Sequence, residues 1–288
     1  MTNNSTPYIV LIADYGKGDP AFVEVKQHIS ALIPNARIEE VSVEPFSTIQ
    51  TGFWAHQFAI NHSVFKSLKR GGNLMGVGGT FLYINTAPRK DDLSPREDNG
   101  GERLVYAKLS NGVEVVGVLS GESFSYIKPL ITELREINIS RNGSQFRSRD
   151  TFPIALRAIV KKSYEGILGD EIDNEAIPDR TMWRVAHVDG YGNLKLSTMC
   201  SEAGFEEGEP LKIRVGNLNR YVEAVYSKGI FAVKENQLCL APGSSGIKGE
   251  NFLEISKRGA SAWDVLGKPK TGAEVAVERF RSKAKTLA

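Results

Sequence analysis

The stretch Ile9-Val10-Leu11-Ile12-Ala13-Asp14-Tyr15-Gly16-Lys17-Gly18-Asp19 constrains this chain more than any other. A continuous apolar run stopped by a polar, Gly-containing turn reads as a buried strand of a parallel sheet. Asp14 then falls at the C-terminal end of that strand, where open α/β sheets place their ligands. Gly16 and Gly18 let the backbone bend close to whatever binds, and Asp19 starts a helix running through Phe22, Val25 and Ile29. The plain alternative is that Asp14 and Asp19 are only turn and cap residues. For Asp19 alone the cap is the better reading; for the pair flanking a Gly-x-Gly turn, a ligand role is favoured.

An ionised Asp is acceptor-only with two oxygens, so Asp14 can take both hydroxyl protons of a ribose diol. The turn lacks Gly-x-Gly-x-x-Gly, and the acid precedes the glycines rather than following some 20 residues later. A nucleoside suits this pattern; a nicotinamide dinucleotide does not.

Further along, strands and helices alternate up to about residue 162. Ala36 to Val43 reads as a second strand and Ile49 to Leu68 as a helix. Gly79 to Ile84 and Val113 to Leu119 read as strands, and Phe124 to Ile137 and Phe152 to Lys161 as helices. The alternation predicts an α/β domain over residues 1–164 with a mostly parallel sheet. Residues 165–182 are acidic and polar with little periodicity, and read as a linker.

From Trp183 the pattern changes to short strands between Gly-rich turns: Trp183–Val188, Leu211–Val215, Ile230–Val233, Gln237–Leu240 and Phe252–Ser256. That predicts a small all-β, barrel-like domain over residues 183–288. The basic end, Arg279 to Lys285, reads as a solvated tail.

At 288 residues the chain is long enough for two such domains, and 41% hydrophobic with 24% charged residues is ordinary for a globular protein. A net charge of +2 argues for neither nucleic acid nor membrane as a partner. No apolar run approaches the ~20 residues that span a bilayer, and no cleavable leader is evident, so a cytoplasmic location is expected. Cys200 and Cys239 form neither a disulfide framework nor a metal-ligand pattern, and their pairing is left open.

Three more segments carry candidate chemistry. Asp189-Gly190-Tyr191-Gly192-Asn193 puts a carboxylate and a carboxamide on one tight turn, able to accept from an ammonium and donate to a carboxylate. Gly243-Ser244-Ser245-Gly246 reads as a small polar turn with two hydroxyls. Phe146-Arg147-Ser148-Arg149-Asp150-Thr151-Phe152-Pro153 leads into the helix Ile154 to Val160. With Asp150 or Thr151 as its cap, that helix start offers N–H donors to an anion.

At these residues the chain resembles the S-adenosylmethionine hydroxide adenosyltransferase family and its halogenating relatives, the fluorinases and chlorinases. The family's Asp-Phe-Gly-x-x-Asp is matched by Asp14-Tyr15-Gly16-Lys17-Gly18-Asp19, and its Asp-x-Phe-Gly-Asn by Asp189-Gly190-Tyr191-Gly192-Asn193. Its closing Ser-Ser-Gly-Tyr-Leu-Glu-Ile is matched by Ser244-Ser245-Gly246 and, after a five-residue insertion, Phe252-Leu253-Glu254-Ile255.

The resemblance implies S-adenosylmethionine as substrate or ligand, no further cofactor, and a homotrimer with sites at subunit interfaces. By the same carry-over Asp14 and Asp19 belong to the nucleoside end, with Phe46 of Glu44-Pro45-Phe46 packing on it. Asp189, Asn193, Ser244 and Ser245 hold the methionine end, and Tyr226 matches an aromatic that stacks on adenine. For both aromatics, plain core packing is an equal alternative.

The resemblance breaks at the catalytic positions. Hydroxide-using members carry an Asp, an Arg and a His that position and activate water. Here the strand Phe81-Leu82-Tyr83-Ile84 ends in Asn85-Thr86-Ala87-Pro88, the best match to the Arg is Arg103, and Arg147 stands at the His position. Asn85 has no useful basicity and Arg147 stays protonated, so neither can act as general base. Asp91, Asp92, Glu97 or Asp98 of the 89–100 insertion could substitute, although charge runs in loops are usually solvated. Arg103 and Arg147 would make the pocket hospitable to a pre-formed anion, and Ser148 occupies the fluorinase Ser position. The expected function is adenosyl transfer to a small nucleophile, with slow or absent hydrolysis. The alternative is a silent adenosyl-binding or regulatory protein.

Overall fold

The computed structural model describes residues 6–69, 77–89, 94, 101–139, 144–247 and 249–280. By their contacts the residues divide into a first unit, Met1–Arg180, and a second, Thr181–Ala288.

The apolar run becomes β1 (Thr6–Ala13), the central element of the first unit. Ile9, Leu11 and Ala13 face one side of the sheet and Val10 and Ile12 the other, all 3% exposed or less. Both faces are buried because helices cover both. α1 (Pro20–Leu32) sends Phe22, Val25 and Ile29 onto the first face, at the helical spacing expected. α4 (Phe152–Val160) joins it there through Phe152, Leu156 and Ile159, preceded by the single turn α3 (Arg147–Asp150). α2 (Thr48–Lys69) covers the second face with Ala55 and Ala59. It fits against the chain only because residue 52 is Gly: a Cβ there would meet the Glu122 carbonyl at 2.3 Å.

The remaining strands are β2 (Arg37–Ser42), β3 (Val77–Asn85), β4 (Leu104–Leu109), β5 (Glu114–Val118), β6 (Ile131–Ile137) and β7 (Leu168–Glu171). Their order is β2-β1-β3-β5-β4-β6-β7. Pairings from β2 through β5 are parallel; those among β5, β4, β6 and β7 are antiparallel. The sheet is therefore mixed rather than mostly parallel.

The expected helix Phe124 to Ile137 is not one. Turns lead to a 3₁₀ turn at Lys128–Leu130 and then to β6. In β6 the buried residues are Ile131, Leu134 and Ile137, a spacing of three that mimics a helix face. Its pairing with β4 slips between Lys108 and Leu109, which breaks the usual alternation. The stretch expected as a linker carries β7 and a 3₁₀ turn at Asn174–Ala176, within the first unit.

The second unit is one seven-stranded sheet, ordered β14-β10-β11-β12-β13-β9-β8. Its strands are β8 (Val185–Val188), β9 (Leu194–Met199), β10 (Pro210–Val215), β11 (Val222–Tyr226), β12 (Leu238–Ile247), β13 (Glu250–Lys257) and β14 (Val275–Arg279). Only β11 with β12 is parallel. The sheet curls until its edges meet: Arg184 bridges Glu274, and the Val185 N–H donates to the Ala273 carbonyl at 2.9 Å. Leu194, Leu196, Leu211, Ile213, Leu240, Leu253 and Ile255 fill the interior. This is the barrel-like unit expected.

Ile230–Ala232, expected as a strand, is a 3₁₀ turn with Phe231 84% exposed. Ser244 and Ser245 lie not in a turn but within β12, at the bulge between Pro242 and Gly246. Arg279 ends β14, and the rest of the basic end lies outside the described residues except Phe280. Among the described residues no helix is long and apolar enough to cross a membrane.

Candidate functional site

The chain runs from β1 to β2 on one side of the sheet and then to β3 on the other. A crevice opens at such a switch, at the carboxyl ends of the strands. Ala13 and Asn85 are partners in register at the ends of β1 and β3, and Asp14 follows β1 directly. A cavity of about 660 Å³ sits at this point, within the first unit. Its lining includes Asp14, Tyr15, Phe46, Asn85, Arg89, Glu102, Arg147 and Ser148. The volume is that of a small-molecule site.

Asp14 is half-buried and fixed by the chain itself: Oδ2 accepts the backbone N–H of Phe46 at 2.9 Å. Burial pushes its carboxyl up from the usual range, against the Phe46 N–H and the Arg89 charge, and the Glu102 charge adds to the rise. A carboxylate held at a desolvation cost does not stabilise the fold when ionised. Phe46 is left-handed, with φ of 64°, and the residue is 56% exposed on the cavity wall. A half-exposed aromatic on a left-handed backbone is an uncommon combination.

Gly16 and Gly18 have φ of 105° and 78°, and a Cβ on either would meet nothing within 4 Å. The positive φ of each is what requires glycine in this turn. Asp19 caps α1, accepting the Ala21 N–H at 2.8 Å, and is not part of the described lining. The plain cap reading describes it.

A hydrogen-bonded chain crosses the floor. Asn85 Nδ2 donates to Tyr15 Oη at 3.1 Å, and Tyr15 Oη donates to Ser148 Oγ at 2.7 Å. Tyr83 Oη donates to the Ser148 carbonyl. Burial pushes the Tyr15 hydroxyl up, so it stays protonated at neutral pH. Having accepted from Tyr15, the buried Ser148 hydroxyl keeps its own proton to donate. Tyr15 was not among the expected site residues. Its position between Asp14 and Gly16 was the signal, but an aromatic there reads equally as core.

Arg147 reaches the cavity by way of Gly101. Its guanidinium stacks on Phe152, 4.9 Å from the ring centre, and Nη1 donates to the Glu102 carbonyl at 3.4 Å. A Cβ at residue 101 would lie 2.5 Å from that nitrogen. Arg149 points elsewhere, pairing with Glu24 and Asp150 at 2.6 Å each. It holds the Asp150 carboxyl down at about 2. Neither Asp150 nor Thr151 caps α4 with its side chain; the Thr151 hydroxyl donates to the Arg147 carbonyl instead.

Arg103, expected in the site, is exposed and lies outside the described lining. The residue beside it takes the position: Glu102 is 7% exposed, lines the cavity, and accepts the Arg89 N–H at 2.7 Å. Asp91, Asp92, Glu97 and Asp98 lie outside the described residues.

In the second unit the Asp189 turn is preorganised. Oδ1 accepts the N–H groups of Tyr191 and Asn193, and Oδ2 accepts Asn193 Nδ2 at 3.0 Å. Gly192, with φ of 79°, is required, since a Cβ would strike Ser261. Ser244 Oγ accepts from Lys195 Nζ at 2.7 Å, and Lys195 pairs with Glu254 at the same distance. Neither Lys195 nor Glu254 was expected; a Lys on a strand gives no sign in sequence that it is buried. Ser245 is buried. Tyr226 packs beside Phe205 at 5.7 Å on the barrel core.

The fold and cavity define a two-unit protein: an α/β unit with a carboxylate at its switch point, then a curled β unit. No family model matches the sequence. Similarity to a characterised protein is nevertheless found: the chain is 28% identical over 167 residues to an (R)-S-adenosyl-L-methionine hydrolase from Methanocaldococcus jannaschii. The match covers 55% of this chain and 60% of that relative, less than two thirds of its length. It bears out the resemblance to the S-adenosylmethionine hydroxide adenosyltransferase family read from the motifs. Two solved structures share the fold. An uncharacterized conserved protein from Thermotoga maritima has a TM-score of 0.67 at 20% identity, over 94% of this chain and 100% of that one. A conserved hypothetical protein from Thermus thermophilus has a TM-score of 0.63 at 17% identity, over 95% and 100%.

Proposed function

We propose that the cavity of the first unit binds the adenosyl part of S-adenosylmethionine and that the protein transfers it to a small nucleophile. The observation that carries this is Asp14: a half-buried carboxylate at the switch point, anchored through Phe46 and facing a nucleoside-sized cavity. Its oxygens retain lone pairs for a ribose diol, and the Phe46 ring offers a face to the nucleoside. Displacement at the 5′ carbon is in line: the nucleophile forms its bond as the carbon–sulfur bond breaks, and sulfur leaves as the neutral thioether of methionine. The sulfonium carries its own driving force, so the protein has to align and desolvate the partners. The Ser148 hydroxyl and the Arg147 guanidinium are the donors placed to hold an incoming anion or lone-pair donor.

The proposal extends to self-association. Asp189, Asn193 and Ser244 of a neighbouring copy would grip the amino-acid end, in a homotrimer. The hydrolase activity named for the Methanocaldococcus jannaschii relative supports the substrate class. A second reading, a silent adenosyl-binding or regulatory protein, draws on Asn85 and Arg147, neither of which can take a proton.

The test is mass spectrometry of the products after incubation with S-adenosylmethionine in water, chloride or fluoride. A 5′-substituted adenosyl product with equimolar methionine supports transfer. Bound but unaltered ligand supports the silent reading.

A further inference from the structure

The adenosyl-transfer reading leaves unnamed the group that would take the proton from an attacking water, and the charged groups of the cavity bear on it. Water needs a proton acceptor as it attacks; a halide does not. Of the described titratable groups in the lining, the guanidinium groups of Arg89 and Arg147 are donors with no acceptor lone pair, and burial keeps Tyr15 protonated. Asp14 is committed to the ribose in this reading. Glu102 remains.

We propose that Glu102 is the proton acceptor for the reaction with water at this site. This rests on the adenosyl-transfer reading and supplies what Asn85 and Arg147 cannot. Glu102 is buried, lines the cavity, and has one carboxylate oxygen fixed by the Arg89 N–H at 2.7 Å. One N–H uses one lone pair of one oxygen, so the carboxylate keeps acceptor capacity for a water. Its charge is felt at Asp14 across the same cavity. Arg147 is held beside it by the bond to the Glu102 carbonyl, in the space that Gly101 leaves open. The Arg147 guanidinium is a donor group in the same lining as the carboxylate. In the step, the water oxygen bonds to the 5′ carbon and the carbon–sulfur bond breaks with its electron pair going to sulfur. The proton lost by the attacking water goes to the Glu102 carboxylate and then to solvent. The products are adenosine, methionine and one proton.

The experiment compares wild type, Glu102→Gln and Glu102→Asp with S-adenosylmethionine, in buffer alone and with azide. Gln keeps the size and can still accept the Arg89 N–H, but has no basicity; Asp keeps the basicity on a shorter arm. The proposal expects adenosine formation to fall about 10²- to 10⁴-fold in Gln, to be at least tenfold higher in Asp than in Gln, and ligand affinity to hold. Azide is already anionic and needs no base, so formation of the 5′-azido product should not fall in Gln. Equal adenosine rates in wild type and Gln overturn the role of Glu102 and leave adenosyl transfer standing. An azide reaction that falls as far as the water reaction also overturns it, since the residue would then only shape the site. A wild type that binds S-adenosylmethionine but forms neither product removes the base, while binding survives. Failure even to bind removes the adenosyl reading itself.

Discussion

The backbone N–H of Phe46 donates to Asp14 Oδ2 across 2.9 Å, and it does so from a left-handed residue that is itself exposed. The two residues are 32 positions apart and come from the loops after β1 and β2, so the contact ties together the loops that flank the cavity.

Asp14→Asn should stabilise the unliganded protein. Burial raises the Asp14 carboxyl above its ordinary value of 3.8, so its ionised form is disfavoured on folding. A raised carboxyl favours the fold below the unfolded pKa, and that contribution is lost as pH rises through the folded pKa. At neutral pH the wild type therefore carries a cost that Asn, which can still accept the Phe46 N–H, does not. Thermal melts at pH 7 should show a higher midpoint for Asn, and the gap should close as the pH falls towards 3.8.

Phe46→Gly should leave stability within about 1 kcal/mol of wild type, because relief of the positive φ offsets the freedom that Gly gains in the unfolded chain. Phe46→Ala keeps the unfavourable φ and should melt lower than Gly. Both lose the ring, so both should bind S-adenosylmethionine more weakly, with the Asp14 bond intact. Melting curves and affinities on the pair separate the ring from the backbone.

Gly101→Ala should fold and melt like wild type while turning over poorly. The clash is with the far end of a flexible side chain, so Arg147 will move rather than the backbone. A displacement near 1 Å from the reacting atoms costs on the order of 10²-fold in rate. Steady-state kinetics beside a melting curve reads both.

Lys195→Met should destabilise the second unit by about 3 kcal/mol, because it strands Glu254. The two side chains are 8% and 15% exposed, and Ser244 takes another of the Lys195 protons. The double variant Lys195→Met, Glu254→Leu should recover most of the loss, since two apolar groups need no partner. Denaturant titration of the set measures it.

Much of this fold could be read from the chain. β1, α1, α2, β3 and α4 announce themselves through runs and periods that burial imposes, and Asp14 follows from the place where one run stops. The failures have physical causes as definite. β6 buries every third residue and so resembles a helix until its slipped pairing with β4 is seen. β4 carries the polar Lys108 in a strand otherwise apolar, and β9 buries a Lys whose partner lies 59 residues away. Asn85, Arg147 and Ser148 line the cavity together with Asp14. Glu102 was passed over for Arg103 because which of two adjacent side chains turns inward depends on register, which sequence does not display.

The central claim is that Asp14 holds the adenosyl ligand, and calorimetric titration of S-adenosylmethionine into wild type and Asp14→Asn tests it most directly. Charge-assisted hydrogen bonds of about 1.5–3 kcal/mol each would be weakened. Wild type should bind saturably at pH 8 and the Asn variant at least tenfold more weakly, in a protein that melts no lower. Equal affinity in the two proteins, or no binding by wild type, would contradict it.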